Sequence, residues 1–323
     1  MNLQHSDVLE YLAPVAALFS DTTITEISVN PDLRVFVERA GKREEFAPIG
    51  KITVLKVEAV LRRIAHANHT SIDDEHPILN AQFSDGSRIC AVYPPASPAG
   101  PMFSIRRSRA KVFTLADLLD CGSLSPDAAA LLARLVNDRQ SILISGGTGT
   151  GKTTFVNALA ALMPLETRVC LIEKPREIVL PHVNVTALEA THEVSMSELV
   201  QTALRLYPDR IIVGEVRGSE AADMLQALNT GHAGSFATIH ANSAVLALSR
   251  LASLAMIASG NRTHISVLRD VADAIQCVVQ LRLMSDGSRV VSEIVKVLGY
   301  NAAEDVFRTV SVYSPKGGAA PEA

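Results

Sequence analysis

One short run of glycines, threonines and a lysine has the residue types and the spacing needed to hold phosphate groups. Residues 146–153 read GGTGTGKT, which matches the pattern GxxxxGK(S/T), and the run lies between an apolar stretch and a helical pattern that begins at Lys152. Glycines let the backbone curve so that its N–H groups surround a phosphate, and the N-terminus of a helix adds a partial positive charge. The run, called the P-loop below, therefore predicts a nucleotide site.

Each residue of the P-loop has an expected part in that site. Lys152 is expected to reach the β- and γ-phosphates, and the hydroxyl of Thr153 is expected to bind Mg²⁺. ATP is the expected substrate and Mg²⁺ the expected cofactor. The other residues of the run and its first neighbour are expected to surround the phosphates: Gly146, Gly147, Thr148, Gly149, Thr150, Gly151 and Thr154.

Acidic residues end two further strand-like runs. Glu173 ends the run RVCLIE, and Glu215 ends the run RIIVGE. The carboxyl ends of parallel strands open onto one crevice, so both carboxylates are expected near the nucleotide. Glu215 is predicted to orient or deprotonate the attacking water. Gly214 stands where many such ATPases hold an Asp for Mg²⁺, so Glu173 is predicted to complete the metal shell, although either Glu could also be a solvated charge.

Two histidines flank the next strand-like run. His232 and His240 are eight residues apart, on either side of a glycine turn and a short apolar stretch. A zinc site would need further ligands, which the widely spaced cysteines do not supply. Polar side chains on the strand after an acid strand are well placed to sense a γ-phosphate. We predict this sensor role for both histidines.

Arginines cluster near the end of the first third of the chain, at positions 106, 107 and 109. They are either a solvated basic edge or a set of guanidinium groups that reach across a cleft to the γ-phosphate, for which the planar fork of Arg is suited. On the second interpretation, Arg106 and Arg107 are ATP-binding residues.

The elements that must position these residues fall into two parts. Over 1–108, short strand patterns alternate with one helical pattern, which is typical of a small α+β domain. Over 126–313, strands alternate with helices, which predicts an α/β domain with a parallel sheet covered on both faces. Residues 109–125 are predicted to link the domains. Residues 314–323 are rich in Gly, Pro and Ala and are predicted to form a disordered tail.

Composition and charge exclude several classes of protein. The 323 residues, 48% of them hydrophobic and 20% charged, allow two globular domains. A net charge of −4 and only 4% aromatic residues argue against capture of nucleic acid by charge or base stacking, so no direct sequence-specific nucleic-acid binding is expected. The sequence has neither a membrane-spanning apolar run nor a secretory signal at its start, so the chain is expected in the cytoplasm.

Four of these segments together resemble the traffic ATPases of bacterial secretion, in particular the TrbB-like conjugal-transfer and VirB-type type IV secretion branch. The segments are the P-loop, Ile172-Glu173, the block PDRIIVGEVRG at 208–218 with its Walker B strand that lacks an Asp, and the histidine segment that ends at 240–242. The N-terminal part matches more loosely, at Asn30-Pro31, Asp85–Arg88, Pro94-Pro95 and Ser104–Arg107.

The resemblance implies a homohexameric ring in which a RecA-like C-terminal domain binds ATP at its cleft with a nucleotide-capping N-terminal domain. It also implies a motor, peripheral on the inner face of the cytoplasmic membrane, that works with other secretion proteins in type IV secretion, conjugative DNA transfer or pilus assembly. The family usually continues from the first Glu into Asp-Thr and a second Glu, whereas this chain reads Glu173-Lys174-Pro175-Arg176-Glu177. Glu177 is therefore an alternative to Glu173 as the metal ligand.

Other functions stay open at the level of sequence. A type IV pilus motor has similar P-loop and histidine segments, whereas many type II secretion motors carry a four-cysteine zinc module that this sequence lacks. A RecA-like DNA translocase is disfavoured by the acidic net charge and the few aromatic residues. A nucleotide-gated scaffold with little turnover is a third class.

Overall fold

The chain forms two compact units, Met1–Lys111 and Val112–Ala323. The computed structural model describes residues 15–39, 42–47, 50–83, 85–107, 112–191, 193–258, 260 and 262–315. Arg109 and residues 316–323 of the predicted tail lie outside the described residues.

The first unit contains a six-stranded antiparallel sheet in the order β3-β2-β1-β6-β5-β4. Helix α2 begins after Thr53, whose hydroxyl accepts a hydrogen bond from the Lys56 N–H, and it buries one face against the sheet. The elements are α1 (Ala16–Ser20), β1 (Ile24–Val29), β2 (Val35–Arg39), β3 (Lys42–Phe46), α2 (Val54–Ala67), β4 (Ile78–Gln82), β5 (Arg88–Val92) and β6 (Met102–Arg106).

The apolar patterns at 24–29 and 102–106 predict two of the strands in this domain, and the structure confirms them as β1 and β6. Strand β3 was not predicted, because its sequence KREEF has no alternation of apolar and polar residues. It lies at the edge of the sheet, where charged side chains on both faces remain in water.

The second unit contains an eight-stranded sheet in the order β14-β13-β12-β7-β11-β10-β8-β9. The strands from β12 to β9 are parallel, and β13 and β14 extend the sheet as antiparallel strands. The elements are α3 (Leu115–Asp120), α4 (Pro126–Asn137), β7 (Ile142–Gly146), α5 (Lys152–Ala160), β8 (Val169–Glu173), β9 (Val185–Glu189), α6 (Met196–Ala203), β10 (Arg210–Val213), α7 (Glu220–Asn229), β11 (Phe236–Ile239), α8 (Ala244–Ile257), α9 (His264–Ala274), β12 (Cys277–Leu283), β13 (Arg289–Asn301) and β14 (Val306–Tyr313).

Helices cover both faces of this sheet, as the alternation of strands and helices predicts. Leu143 of β7 belongs to the core that includes α6 to α9, whereas Ile142 and Ile144 belong to the core that includes α3 to α5. In β10, Ile211 likewise belongs to the first of these cores and Ile212 to the second. Because both faces are buried, these strands appear in the sequence as continuous apolar runs.

The segment expected to link the two domains instead joins the second unit from Val112 onward. Leu118 of α3 and the nearby Leu124 are buried in the core beside α4 and α5. Helix α3 begins with a capping box between Thr114 and Asp117. The prediction of a linker over 109–125 is therefore wrong for this part, because a short helix with a buried apolar face is part of a core.

The carboxyl ends of the central parallel strands lie together. Ile239 of β11 is in register with Ser145 of β7, and Val213 of β10 is in register with Ile172 of β8. The P-loop, Glu173, Gly214 and His240 each lie at or directly after one of these ends, so the sheet brings together four distant parts of the sequence. None of the helices in the described ranges is long and apolar enough to cross a membrane.

Candidate functional site

The P-loop turns from β7 into α5 through backbone conformations that favour glycine. Gly149 has φ of 77° and Gly151 has φ of 90°, in the left-handed region. Gly146 is needed for space, because a Cβ there would lie 2.5 Å from Thr150 Oγ1. The Thr150 hydroxyl donates to the carbonyl oxygen of Gly147 at 2.9 Å, so the loop is closed by its own side chain.

Lys152 lies inside this loop and is only 8% exposed. Its ammonium group donates to the carbonyl oxygens of Gly146 and Gly147, each at 2.9 Å, and its Nζ is 3.2 Å from His240 Nδ1. Burial lowers the pKa of Lys152 to about 8, while the nearby Glu215 carboxylate acts in the opposite direction. The ammonium group therefore carries its charge at neutral pH, at the position where the motif requires it.

A chain of polar contacts runs from Lys152 to the end of β10. His240 Nε2 is 2.9 Å from Glu215 Oε1, and Arg217 Nη2 donates to Glu215 Oε2 at 2.6 Å. An ammonium group only donates, so His240 Nδ1 accepts and the ring proton is on Nε2. Burial, together with the charge of Lys152, lowers the pKa of His240. The imidazole is thus neutral near pH 7 and connects the P-loop to the acid.

Glu215 is ionised in this environment. Burial by itself raises the pKa of Glu215, but the hydrogen bond from Arg217 and the nearby His240 and Lys152 more than offset that effect and hold the pKa below its ordinary value. A half-buried carboxylate in this state can orient a water molecule or accept its proton.

Glu173 is buried at the end of β8, and its carboxylate binds backbone N–H groups. Glu173 Oε1 accepts from the N–H of Glu177 at 3.0 Å and from the N–H of Ile178 at 3.1 Å. The side chain also fills the space beside Gly214, where an added Cβ would lie 2.7 Å from Glu173 Cγ. The glycine at the position of the absent Asp therefore leaves room for Glu173.

The loop after β8 presents Glu177 to the start of α5. The Thr153 hydroxyl donates to Glu177 Oε2 at 3.0 Å, and the Val179 N–H donates to Asn157 Oδ1 at 3.1 Å. Of the two acids weighed for the metal shell, the structure brings Glu177 to Thr153. A hydroxyl and a carboxylate are oxygen ligands of the kind that Mg²⁺ prefers, so this pair fits the expected cofactor.

Glu220 holds the turn after β10 and was not found by sequence reasoning. Its side chain is 6% exposed, and its Oε1 accepts from the N–H groups of Arg217 at 2.6 Å and Gly218 at 2.9 Å. These contacts position the segment that carries Arg217 beside Glu215. The position of Glu220 at the start of a helix, where backbone donors lack helical partners, is the signal in the sequence that would have indicated this role.

His232 lies outside this cluster. It precedes β11, whose first residue Phe236 is in register with Ile142 at the start of β7, whereas His240 follows the end of β11. A four-residue strand spans about 13 Å, so the two histidines lie at opposite ends of the strand. His232 Nδ1 is instead 3.1 Å from the carbonyl oxygen of Ala227, at the end of α7. Proximity in sequence was therefore a poor guide here, because the intervening residues are extended.

Arg106 and Arg107 belong to the first unit. Arg106 ends β6 and is exposed. Arg107 donates through its guanidinium group to the carbonyl oxygens of Phe19 at 2.9 Å and Leu18 at 3.2 Å, and also to that of Asp21. In this unit Arg107 thus stabilises the end of α1, and the role of either arginine at the γ-phosphate stays a prediction.

The sheet, the P-loop and the acids at neighbouring strand ends define a P-loop nucleotide-binding protein of the α/β class. The family described as "Type II/IV secretion system protein" matches residues 9–318. The conjugal transfer protein TrbB of Rhizobium radiobacter is 36% identical over 87% of this chain and 85% of its own length. The type IV secretion system protein PtlH of Bordetella pertussis is 34% identical over 72% of this chain and 77% of its own length.

Solved structures agree in fold. The VirB11 ATPase of the Brucella suis type IV secretion system is 29% identical, with a TM-score of 0.50 over 89% of this chain and 97% of that one. The pilus retraction motor PilT is 20% identical, with a TM-score of 0.65 over 91% of this chain and 84% of that one, and this likeness concerns the fold alone. The chain belongs to the type II/IV secretion system protein family, the traffic ATPases of bacterial secretion, and has their RecA-like P-loop fold.

Proposed function

We propose that this ATPase is a Mg²⁺-dependent motor that powers type IV secretion or conjugative transfer. The observation that carries the proposal is the continuous set of contacts from Lys152 in the P-loop through His240 to Glu215. The cluster joins a phosphate-binding charge to an ionised acid, which is the arrangement that ATP hydrolysis needs.

The residues of the P-loop bind the phosphates through backbone N–H groups and through Lys152, whose charge stabilises the transferred phosphoryl group. Thr153 and Glu177 would hold Mg²⁺. The ion neutralises charge on the β- and γ-phosphate oxygens when it is bound. Glu173 acts as a positioning residue, because its carboxylate accepts backbone N–H groups of the loop that carries Glu177.

Glu215 activates the water. The water oxygen forms a bond to the γ-phosphorus as the bond from that phosphorus to the bridging oxygen of ADP breaks, and the water proton passes to the carboxylate. His240 contacts both Lys152 and Glu215, so it is the residue suited to sense the γ-phosphate. The hydrogen bond from Arg217 helps to hold the pKa of Glu215 below its ordinary value, so that the carboxylate is ready to accept a proton.

The higher organisation is part of the same proposal. By resemblance, the chain forms a homohexamer, and it acts with other secretion proteins at the inner face of the cytoplasmic membrane. The names of the sequence relatives favour conjugation or type IV secretion. The likeness to a pilus motor supports only the fold, so it does not favour a pilus role.

Steady-state phosphate release by the full chain tests the catalytic part of the proposal. Lys152→Ala should abolish release, because it removes the charge at the transferred phosphoryl group. Lys296→Ala should retain it, because Lys296 is in register with Cys277, which pairs with Ile142 at the start of β7, the end away from the P-loop. Release by Lys152→Ala near the wild-type rate would contradict the proposal. Light scattering with ATP and Mg²⁺ at micromolar concentration should report a hexamer, and monomer alone would contradict the ring.

A further inference from the structure

Arg289, the first residue of β13, contacts the P-loop although it is far away in the sequence. Its Nε–H donates to the carbonyl oxygen of Gly149 at 2.7 Å. Its Cδ would lie 3.3 Å from a Cβ placed on Gly151, so the stem of the side chain lies against the same loop. No pattern in the sequence connects this arginine with residues 146–153.

The hairpin of β12 and β13 holds Arg289 in this place. Strand β12 pairs with β7 so that Leu281 is in register with Gly146, and Arg289 pairs with Leu283 across the hairpin. The turn is closed by the Met284 N–H, which donates to the carbonyl oxygen of Ser288 at 2.8 Å. The contact therefore comes from an ordered strand of the sheet that also carries the P-loop.

The contact acts on a glycine of the loop that has a left-handed conformation. Gly149 has a left-handed φ and no side chain, so its own preferences leave the adjoining peptide group free to rotate. In a trans peptide group the carbonyl of Gly149 and the N–H of Thr150 point in opposite directions. A donor that holds the carbonyl therefore also directs the Thr150 N–H away from Arg289.

We propose that Arg289 is a positioning residue for nucleotide binding, which orients the peptide group between Gly149 and Thr150 so that its N–H faces the phosphates. This inference rests on the proposed nucleotide site. The role is needed equally for ADP and ATP, because the loop surrounds the β-phosphate that both carry. It does not involve the chemical step, which depends on Glu215.

Three substitutions separate the hydrogen bond from the charge. Arg289→Gln places an N–H donor the same number of bonds from the backbone as Arg Nε, without the charge. Arg289→Met has a similar length and neither donor nor charge. Arg289→Lys keeps the charge, with its donors one bond further out. Arg282→Met is the matched control, because Arg282 is an exposed arginine of β12 in the same hairpin.

The test is a titration of the full chain with a fluorescent ADP analogue, combined with steady-state kinetics and thermal unfolding without nucleotide. Arg289→Met should weaken ADP binding about tenfold, as expected for loss of one charge-assisted hydrogen bond, and should raise KM for ATP with kcat unchanged. Arg289→Gln should recover most of the affinity and Arg289→Lys only part of it. The control should bind as the wild type does, and the unfolding temperatures should match.

Three results would overturn the inference. Equal ADP affinity in Arg289→Met and the wild type would make the contact incidental. Equal weakening in Arg289→Gln and Arg289→Met would assign the effect to charge. A fall in kcat with unchanged ADP affinity would place Arg289 in the chemical step. Failure of the nucleotide site itself is distinguishable, because in that case the wild type and Lys152→Ala would bind the analogue equally.

Discussion

Two glutamates lie at or after the end of β8, and two more lie after the end of β10. In the first pair the earlier glutamate binds backbone N–H groups, whereas in the second pair the later one does. After β8, the acid at the strand end is Glu173, which is buried and accepts backbone N–H groups, and the exposed Glu177 follows it to meet Thr153. After β10, the acid at the strand end is the half-buried Glu215, and the buried Glu220 follows it and accepts two backbone N–H groups.

This difference shows that position at a strand end does not decide what a carboxylate does. A buried carboxylate must have its lone pairs satisfied, and the nearby backbone N–H groups of a turning loop supply that need. The acid that binds them anchors the loop, and under the proposed function the other acid serves the nucleotide site. The anchors are Glu173 and Glu220, and the other acid is Glu177 in the first loop and Glu215 in the second.

The largest effect is expected for Glu215→Gln. Turnover should fall by about 10²- to 10⁴-fold, since the amide keeps the shape but cannot accept the proton. ATP affinity should stay close to the wild-type value. Phosphate release and ATP titration measure the two quantities. A parallel fall of both would make Glu215 a binding residue and remove the contrast between the loops.

The next effect concerns Mg²⁺. Glu177→Gln should raise the Mg²⁺ concentration that gives half-maximal phosphate release by about 10- to 100-fold, since a carboxylate beside Thr153 is lost. Glu173→Gln should leave this concentration close to the wild-type value. If the Mg²⁺ requirement followed Glu173 instead, the assignment of anchor and ligand in the first loop would be reversed.

A smaller effect is expected on stability when Gly214 gains a side chain. Gly214→Ala places a Cβ against Glu173 Cγ and should lower the free energy of unfolding by about 1–3 kcal/mol through overpacking. The same change made in a Glu173→Ala chain should cost much less, because the obstructing side chain is gone. Urea unfolding of the wild type, the two single variants and the double variant gives the coupling free energy between residues 214 and 173. Equal costs in both backgrounds would show that the two residues are independent.

The smallest effect is a shift in pH dependence. The pKa of Lys152 is about 8, so its charge is lost as the pH rises through that value, and ADP affinity should fall there. Glu215 raises the pKa of Lys152, so Glu215→Gln should move this loss of affinity to lower pH. Glu177→Gln should not move it. ADP titrations over a series of pH values check the shift, and an unchanged profile in Glu215→Gln would argue against coupling between Glu215 and Lys152.

Local patterns were sufficient to predict the P-loop, the parallel sheet and the family. The glycines of the GxxxxGKT run determine the backbone shape of the P-loop. The buried strands are recognisable in the sequence as apolar runs such as Ile142–Gly146. The sequence also predicts helices at 244–258 and 264–274 and a hairpin that turns at 285–287, and these are confirmed as α8, α9 and the hairpin of β12 and β13. Each of these signals lies within a few neighbouring residues.

The roles of individual polar residues depended on contacts between distant segments, which no local pattern contains. Glu173 and Glu177 could be told apart only when the loop placed one on backbone N–H groups and the other on Thr153. Arg289 reaches Gly149 only because β12 pairs with β7. A carboxylate or a guanidinium group is compatible with either water or a partner, so its chemistry is decided by what the folded chain places beside it.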